Sequence, residues 1–176
     1  NDTIIINHIK DYINIYPNDI KSFLLLGNIA MQRNAYIDAV GYLHRALLIN
    51  SNNIKANFNL GLSLMNLGKH EDAIVQFEKV IQLDANHVQA RFNLGFLFFT
   101  IEQFEKSIFE LTQSLLLDSN NSKTYYYLGQ SYKAINKMKQ ALESFSMSIR
   151  IAPEYGESHY ELGLIYQSIL KFEDAI

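Results

Sequence analysis

Leucine, glycine, alanine and large apolar residues return along this chain at helical spacing, and the interval between returns is constant. The clearest copy is residues 57–77, NFNLGLSLMNLGKHEDAIVQF. Gly27, Gly61, Gly95, Gly129 and Gly163 are each 34 residues apart, since 61 − 27, 95 − 61, 129 − 95 and 163 − 129 are equal. A leucine precedes each glycine: Leu26, Leu60, Leu94, Leu128 and Leu162. Twelve residues after the glycines stand Ala39, Ala73, Ser107, Ala141 and Ala175, and four further on come Leu43, Phe77, Leu111 and Phe145. Small residues where two helices must touch, followed one turn later by a large apolar side chain, predict pairs of packed helices.

Taken in order, the pattern begins in the middle of a unit. Ile5, Ile9 and Tyr12 occupy second-helix positions, so residues 3–16 are predicted helical and Pro17 stops them by withholding a backbone donor. The first full unit covers 20–53, with a first helix at KSFLLLGNIAMQR and a second from Ile37 to Ile49, closed by the turn-favouring Asn50-Ser51-Asn52-Asn53. Units 54–87, 88–121 and 122–155 repeat the plan, and 156–176 is an unfinished one. Gly68 closes a first helix as a left-handed cap, and Asn34, Glu102 and Asn136 share its slot, with Glu102 the poorest fit. Phe172 to Ile176 reads as the opening of a further second helix, so the parent protein is expected to continue beyond Ile176. An uncovered apolar end is expected to be masked by self-association through the unfinished solenoid ends.

A 34-residue period with Leu-Gly, then a small residue, then a large apolar one resembles the tetratricopeptide repeat. The resemblance spans the whole chain and implies an all-α, right-handed α-solenoid of helix-turn-helix repeats forming a single domain over 1–176. In that family the fourth position of a unit is often aromatic. Phe23 and Tyr125 fit, whereas Asn57 and Arg91 depart and are expected to loosen the packing around them.

Composition narrows the partner. With 48% apolar residues the chain buries a substantial core between neighbouring repeats, and a net charge of −3 argues against a nucleic-acid surface. The most apolar stretch, Phe96 to Ile101, is far shorter than the roughly 20 residues that span a bilayer. No membrane is expected as partner and a cytoplasmic location is favoured. The chain lacks cysteine, which removes disulfides and thiolate metal sites. The histidines, His8, His44, His70, His87 and His159, lack zinc-helix spacing and are read as surface residues. The glycines are spread one per unit, unlike a phosphate loop, and no catalytic pair stands out. Neither cofactor nor enzymatic activity is expected.

The resemblance also implies where a partner would sit, in a concave groove lined by positions two, five, six, nine and twelve of each unit. Position five reads Leu24, Phe58, Phe92, Tyr126, Tyr160; position nine reads Asn28, Leu62, Phe96, Gln130, Leu164; position twelve reads Met31, Met65, Phe99, Lys133, Gln167. The helix ARFNLGFLFFT is apolar nearly all round, so Phe92, Phe96 and Phe99 need a cover, either neighbouring side chains or a ligand. Asn59 and Asn93 at position six could hold the backbone of an extended peptide. They resemble the asparagine row of O-linked N-acetylglucosamine transferases. The carboxylate clamp by which some family members hold heat-shock chaperones is absent, because Leu24, Gln89 and Asn93 replace its cations.

Together these residues favour a non-catalytic protein-protein interaction scaffold that binds a peptide or helical segment through Phe58, Asn59, Leu62, Phe92, Asn93, Phe96, Tyr126 and Tyr127. The alternatives are the substrate-docking arm of a larger enzyme such as those transferases, and a secretion chaperone.

Overall fold

The computed structural model describes the backbone of residues 2–173 and the side chains of residues 4–168. Within them lie ten α-helices and no strand. They are α1 (Asp2–Ile15), α2 (Ile20–Gln32), α3 (Tyr36–Ile49), α4 (Ile54–Asn66), α5 (His70–Leu83), α6 (Val88–Thr100), α7 (Phe104–Leu117), α8 (Ser122–Ala134), α9 (Met138–Ile151) and α10 (Gly156–Glu173). The class is the all-α solenoid of helical hairpins with a 34-residue period, and the expected helix limits agree with the observed ones to within a residue through α3. Two compact units divide the chain, residues 1–90 and 91–176.

Helix starts follow from short polar side chains. Asp19, Asn53 and Asn121 each accept the backbone N–H three residues on, satisfying a donor that has no partner inside the helix. The Ser22 hydroxyl and amide hold the Asp19 carboxyl below its ordinary range. His87 does the same work with a ring nitrogen, Nδ1 accepting from Ala90 N–H at 3.2 Å. The first helices α2, α4, α6 and α8 end in one geometry. Asn34, Gly68, Glu102 and Asn136 adopt φ of 58°, 71°, 60° and 61°, and the two N–H groups around each turn bond back to the last helical carbonyls, as Glu102 to Phe99 and Gln103 to Phe98 show. The next residue in that register is Leu170. The helix runs through it to Glu173, so α10 does not turn before Phe172 as the repeat predicts. A leucine, like Glu102, bears a cost at positive φ that glycine escapes, and here the backbone stays helical. The remainder of the expected second helix, with Ala175, lies outside the described residues.

Each hairpin closes on its glycine. A β-carbon on Gly27, Gly61, Gly95 or Gly129 would meet Leu43, Phe77, Leu111 or Phe145 at 2.9, 2.8, 2.7 and 2.7 Å, and those four side chains are fully buried. The absent side chain is what allows the helices to approach. Residues 1–90 stack Phe23, Ala46 and Ala56 into their core, and residues 91–176 stack Ala141, Phe145 and Ile165. A buried hydroxyl pair, Ser107 Oγ to Ser131 Oγ at 2.9 Å, replaces part of the apolar contact in unit two.

The two departures at position four do not leave loose packing. Asn57 is 3% exposed and donates its amide to the carbonyls of Ser51 and Asn53, while Arg91 pairs with Glu110 at 2.9 Å with both side chains largely buried. His159 fills the same position and reaches the Pro153 carbonyl at 2.8 Å, six residues back just as Asn57 reaches Ser51. Asn57 and His159 thus tie their first helices to the turns that precede them.

Candidate functional site

The helix faces expected to line the groove carry half-buried side chains. Phe58, Asn59 and Leu62 stand on α4, Phe92, Asn93 and Phe96 on α6, and Tyr126 and Tyr127 on α8, none of them fully buried or fully exposed. Residues at five, six and nine lie on one helical stripe because 3.6 residues complete a turn.

Within residues 1–90 the Phe58 ring packs edge-on to Phe77, centroids 5.7 Å apart, and lies 4.9 Å from the His87 ring. His87 is therefore part of this wall and a helix cap, rather than a plain surface residue. His70 is likewise partly buried. Asn59 Nδ2 donates to Asn28 Oδ1 at 2.6 Å, so one asparagine of the expected row spends its amide on a neighbouring repeat.

The second unit gathers rings around Tyr127. Its centroid lies 6.2 Å from Phe92, 4.9 Å from Phe96, 5.6 Å from Phe99 and 5.2 Å from Tyr126. The tilted and edge-on orientations place ring edges against ring faces, the arrangement that the aromatic quadrupole favours. Tyr127 is thus the cover that the α6 phenylalanines require, although every ring keeps part of its surface in water. Tyr126 continues the cluster to Tyr155, 5.5 Å away at 81°.

Beside the rings runs a polar chain. Gln130 Nε2 donates to the Tyr126 hydroxyl at 2.8 Å and to Glu161 Oε1 at 3.0 Å, and Lys133 Nζ reaches Glu161 Oε2 at 2.6 Å. Glu161 is only 9% exposed, and both its oxygens are occupied, which is what permits its burial. Burial pushes the Tyr155 phenol up to about 12, helped by the charges of Glu157, Tyr127 and Tyr126. Burial also raises Tyr127, with Tyr126 and Glu157 adding to it. Both phenols stay neutral donors at ordinary pH. A cavity of about 470 Å³ opens at the end of this surface, lined by Phe99, Thr100, Glu102, Phe104, Gln130 and Lys133.

The structure thus brings Phe92, Phe96, Tyr126 and Tyr127 into one cluster and leaves Phe58 in a separate contact. Sequence reasoning missed His87 and Phe104, whose ring centroid lies 6.0 Å from Phe99. The signal was there: Tyr36, His70, Phe104 and Met138 share one repeat slot at the start of the second helices. Among the described residues no group of three side chains could hold a metal, and no helix is long and apolar enough to cross a membrane.

Tetratricopeptide repeat models match residues 54–87 and 122–155. A crystal structure of MamA superposes with a TM-score of 0.79 at 25% identity, over 81% of this chain and 84% of that one. MamA from Desulfovibrio magneticus RS-1 gives 0.83 at 22% identity, over 89% and 88%. The first such domain of Spaghetti (RPAP3), solved with an HSP90 peptide SRMEEVD, gives 0.65 at 20%, over 69% and 96%. No curated protein sequence matches the chain.

Proposed function

Since the chain belongs to the tetratricopeptide repeat proteins, we propose that it is a non-catalytic scaffold whose first helices hold an apolar or amphipathic segment of a partner protein. The observation that carries this reading is the aromatic cluster of Phe92, Phe96, Phe99 and Tyr127, whose rings pack on one another yet remain partly open to water. Such rings supply large contact area with few rotatable bonds, which suits them to recognition. With the Gln130 amide nitrogen engaged by Tyr126 and Glu161, the Tyr126 hydroxyl proton and the Gln130 amide oxygen are the groups at the edge of the cluster able to meet the backbone of a bound segment.

The acidic HSP90 peptide seen on the Spaghetti domain is a poor guide to the occupant. Leu24, Gln89 and Asn93 stand where that ligand's carboxylates would need cations, and Glu157 and Glu161 flank the rings. An apolar-led segment fits this surface better.

Peptides selected by display on the wild-type chain test the reading. Replacing Phe92 and Phe96 together by alanine is expected to weaken them about tenfold or more, with helicity by circular dichroism unchanged. Undiminished affinity would overturn it.

A further inference from the structure

The cavity between the α6–α7 turn and the end of α8 holds charges of both signs. Its apolar wall is Phe99 and Phe104, and its polar groups are Glu102, Gln130 and Lys133. Lys133 is already committed, because its ammonium sits 2.6 Å from Glu161, which also accepts from Gln130. That pair neutralises itself within the protein.

Glu102 is not committed. It is exposed, and among the described residues its carboxylate has neither hydrogen bond nor ion pair. Its backbone is held at φ 60°, in a slot where the other units place asparagine or glycine. A side chain with a β-carbon bears a cost there that glycine escapes and asparagine tolerates better. The molecule therefore carries an unpaired carboxylate, on a residue with a costly backbone conformation, beside two phenylalanine rings.

We propose that this cavity receives an arginine side chain from the partner segment, the guanidinium meeting the Glu102 carboxylate while its flat face and methylenes lie on Phe99 and Phe104. Arginine suits it better than lysine, because a planar guanidinium both stacks on rings and bonds a carboxylate with two parallel N–H groups. The volume of about 470 Å³ is larger than one arginine side chain needs, so the group enters without displacing Phe99 or Phe104. Strain at Glu102 then has a reason, since it is retained for recognition rather than for stability. The inference rests on the groove reading above and specifies one residue of the occupant.

The test is a nuclear magnetic resonance titration of the isotope-labelled chain with two peptides, acetyl-Leu-Arg-Leu amide and acetyl-Leu-Gln-Leu amide. The arginine peptide is expected to shift the amides of Phe99, Glu102 and Phe104 and to bind about fivefold tighter than the glutamine peptide. Glu102→Asn is expected to erase that difference while leaving the fold as stable or more so, since Asn34 and Asn136 occupy the same turn elsewhere. Equal affinity of both peptides, or an unchanged preference in the variant, would overturn the arginine pocket. Shifts confined to Phe92, Phe96 and Tyr127 would also overturn it while supporting the groove. Absence of shifts anywhere would count against both.

Discussion

The side chain of Leu111 occupies the space of a β-carbon at Gly95: Cγ would lie 2.7 Å from it, and the Leu111 backbone nitrogen 3.1 Å. Leu111 is fully buried, so neither atom has room to retreat. The same relationship ties Gly27, Gly61 and Gly129 to their partners sixteen residues on.

Gly163 keeps this register, but among the described residues the β-carbon that an alanine would add there meets nothing within 4 Å. Gly95→Ala is therefore expected to destabilise the protein by about 1–3 kcal/mol through overpacking. Gly163→Ala, in the interior of α10, is expected to stabilise its helix by up to about 1 kcal/mol. Urea unfolding of both variants checks the pair; the same sign for both would refute the notch.

Thr124 is 0% exposed and its hydroxyl has no hydrogen-bond partner, whereas Ser158, one repeat later, donates to Ser148 at 2.7 Å. A buried hydroxyl without a partner costs stability that an isosteric methyl does not. Thr124→Val is expected to raise stability by about 1 kcal/mol, read from the midpoint of denaturant unfolding. A loss of stability would show that the hydroxyl is bonded after all.

Tyr155 and Tyr127 set an alkaline limit. Their folded pKa values lie above the ordinary tyrosine value of 10.0, that of Tyr155 at about 12. A raised folded pKa means that the unfolded chain loses the proton first, so the contribution is complete below about pH 10 and is lost as pH climbs toward 12. Thermal melts between these values are expected to fall more steeply for the wild type than for Tyr155→Phe. Parallel curves would sink the claim.

How much of this was legible beforehand differs from residue to residue. The glycine and leucine register, the large residues sixteen positions on and the left-handed slot at Asn34, Gly68, Glu102 and Asn136 are local or periodic, and the structure follows them. The run-through at Leu170 shows the limit of periodicity: Glu102 turns the chain in this slot despite its cost, and Leu170 does not, so the slot alone does not fix the turn. Part of the candidate surface is legible in the same way, because helical spacing alone aligns Phe92 with Phe96 and Tyr126 with Gln130.

What the chain's order of residues settled is which face the helices bury and where those before α10 stop, because both depend on neighbours three, four or 34 positions away. Tertiary packing alone decided that Tyr127 would cover the α6 phenylalanines, that Asn59 would spend its amide on Asn28, and that Glu161 could be buried against Lys133 and Gln130. Those outcomes depend on distances between side chains of different helices. A ring edge or a carboxylate is stabilised within a few ångströms of its partner, and periodicity does not specify separations that fine.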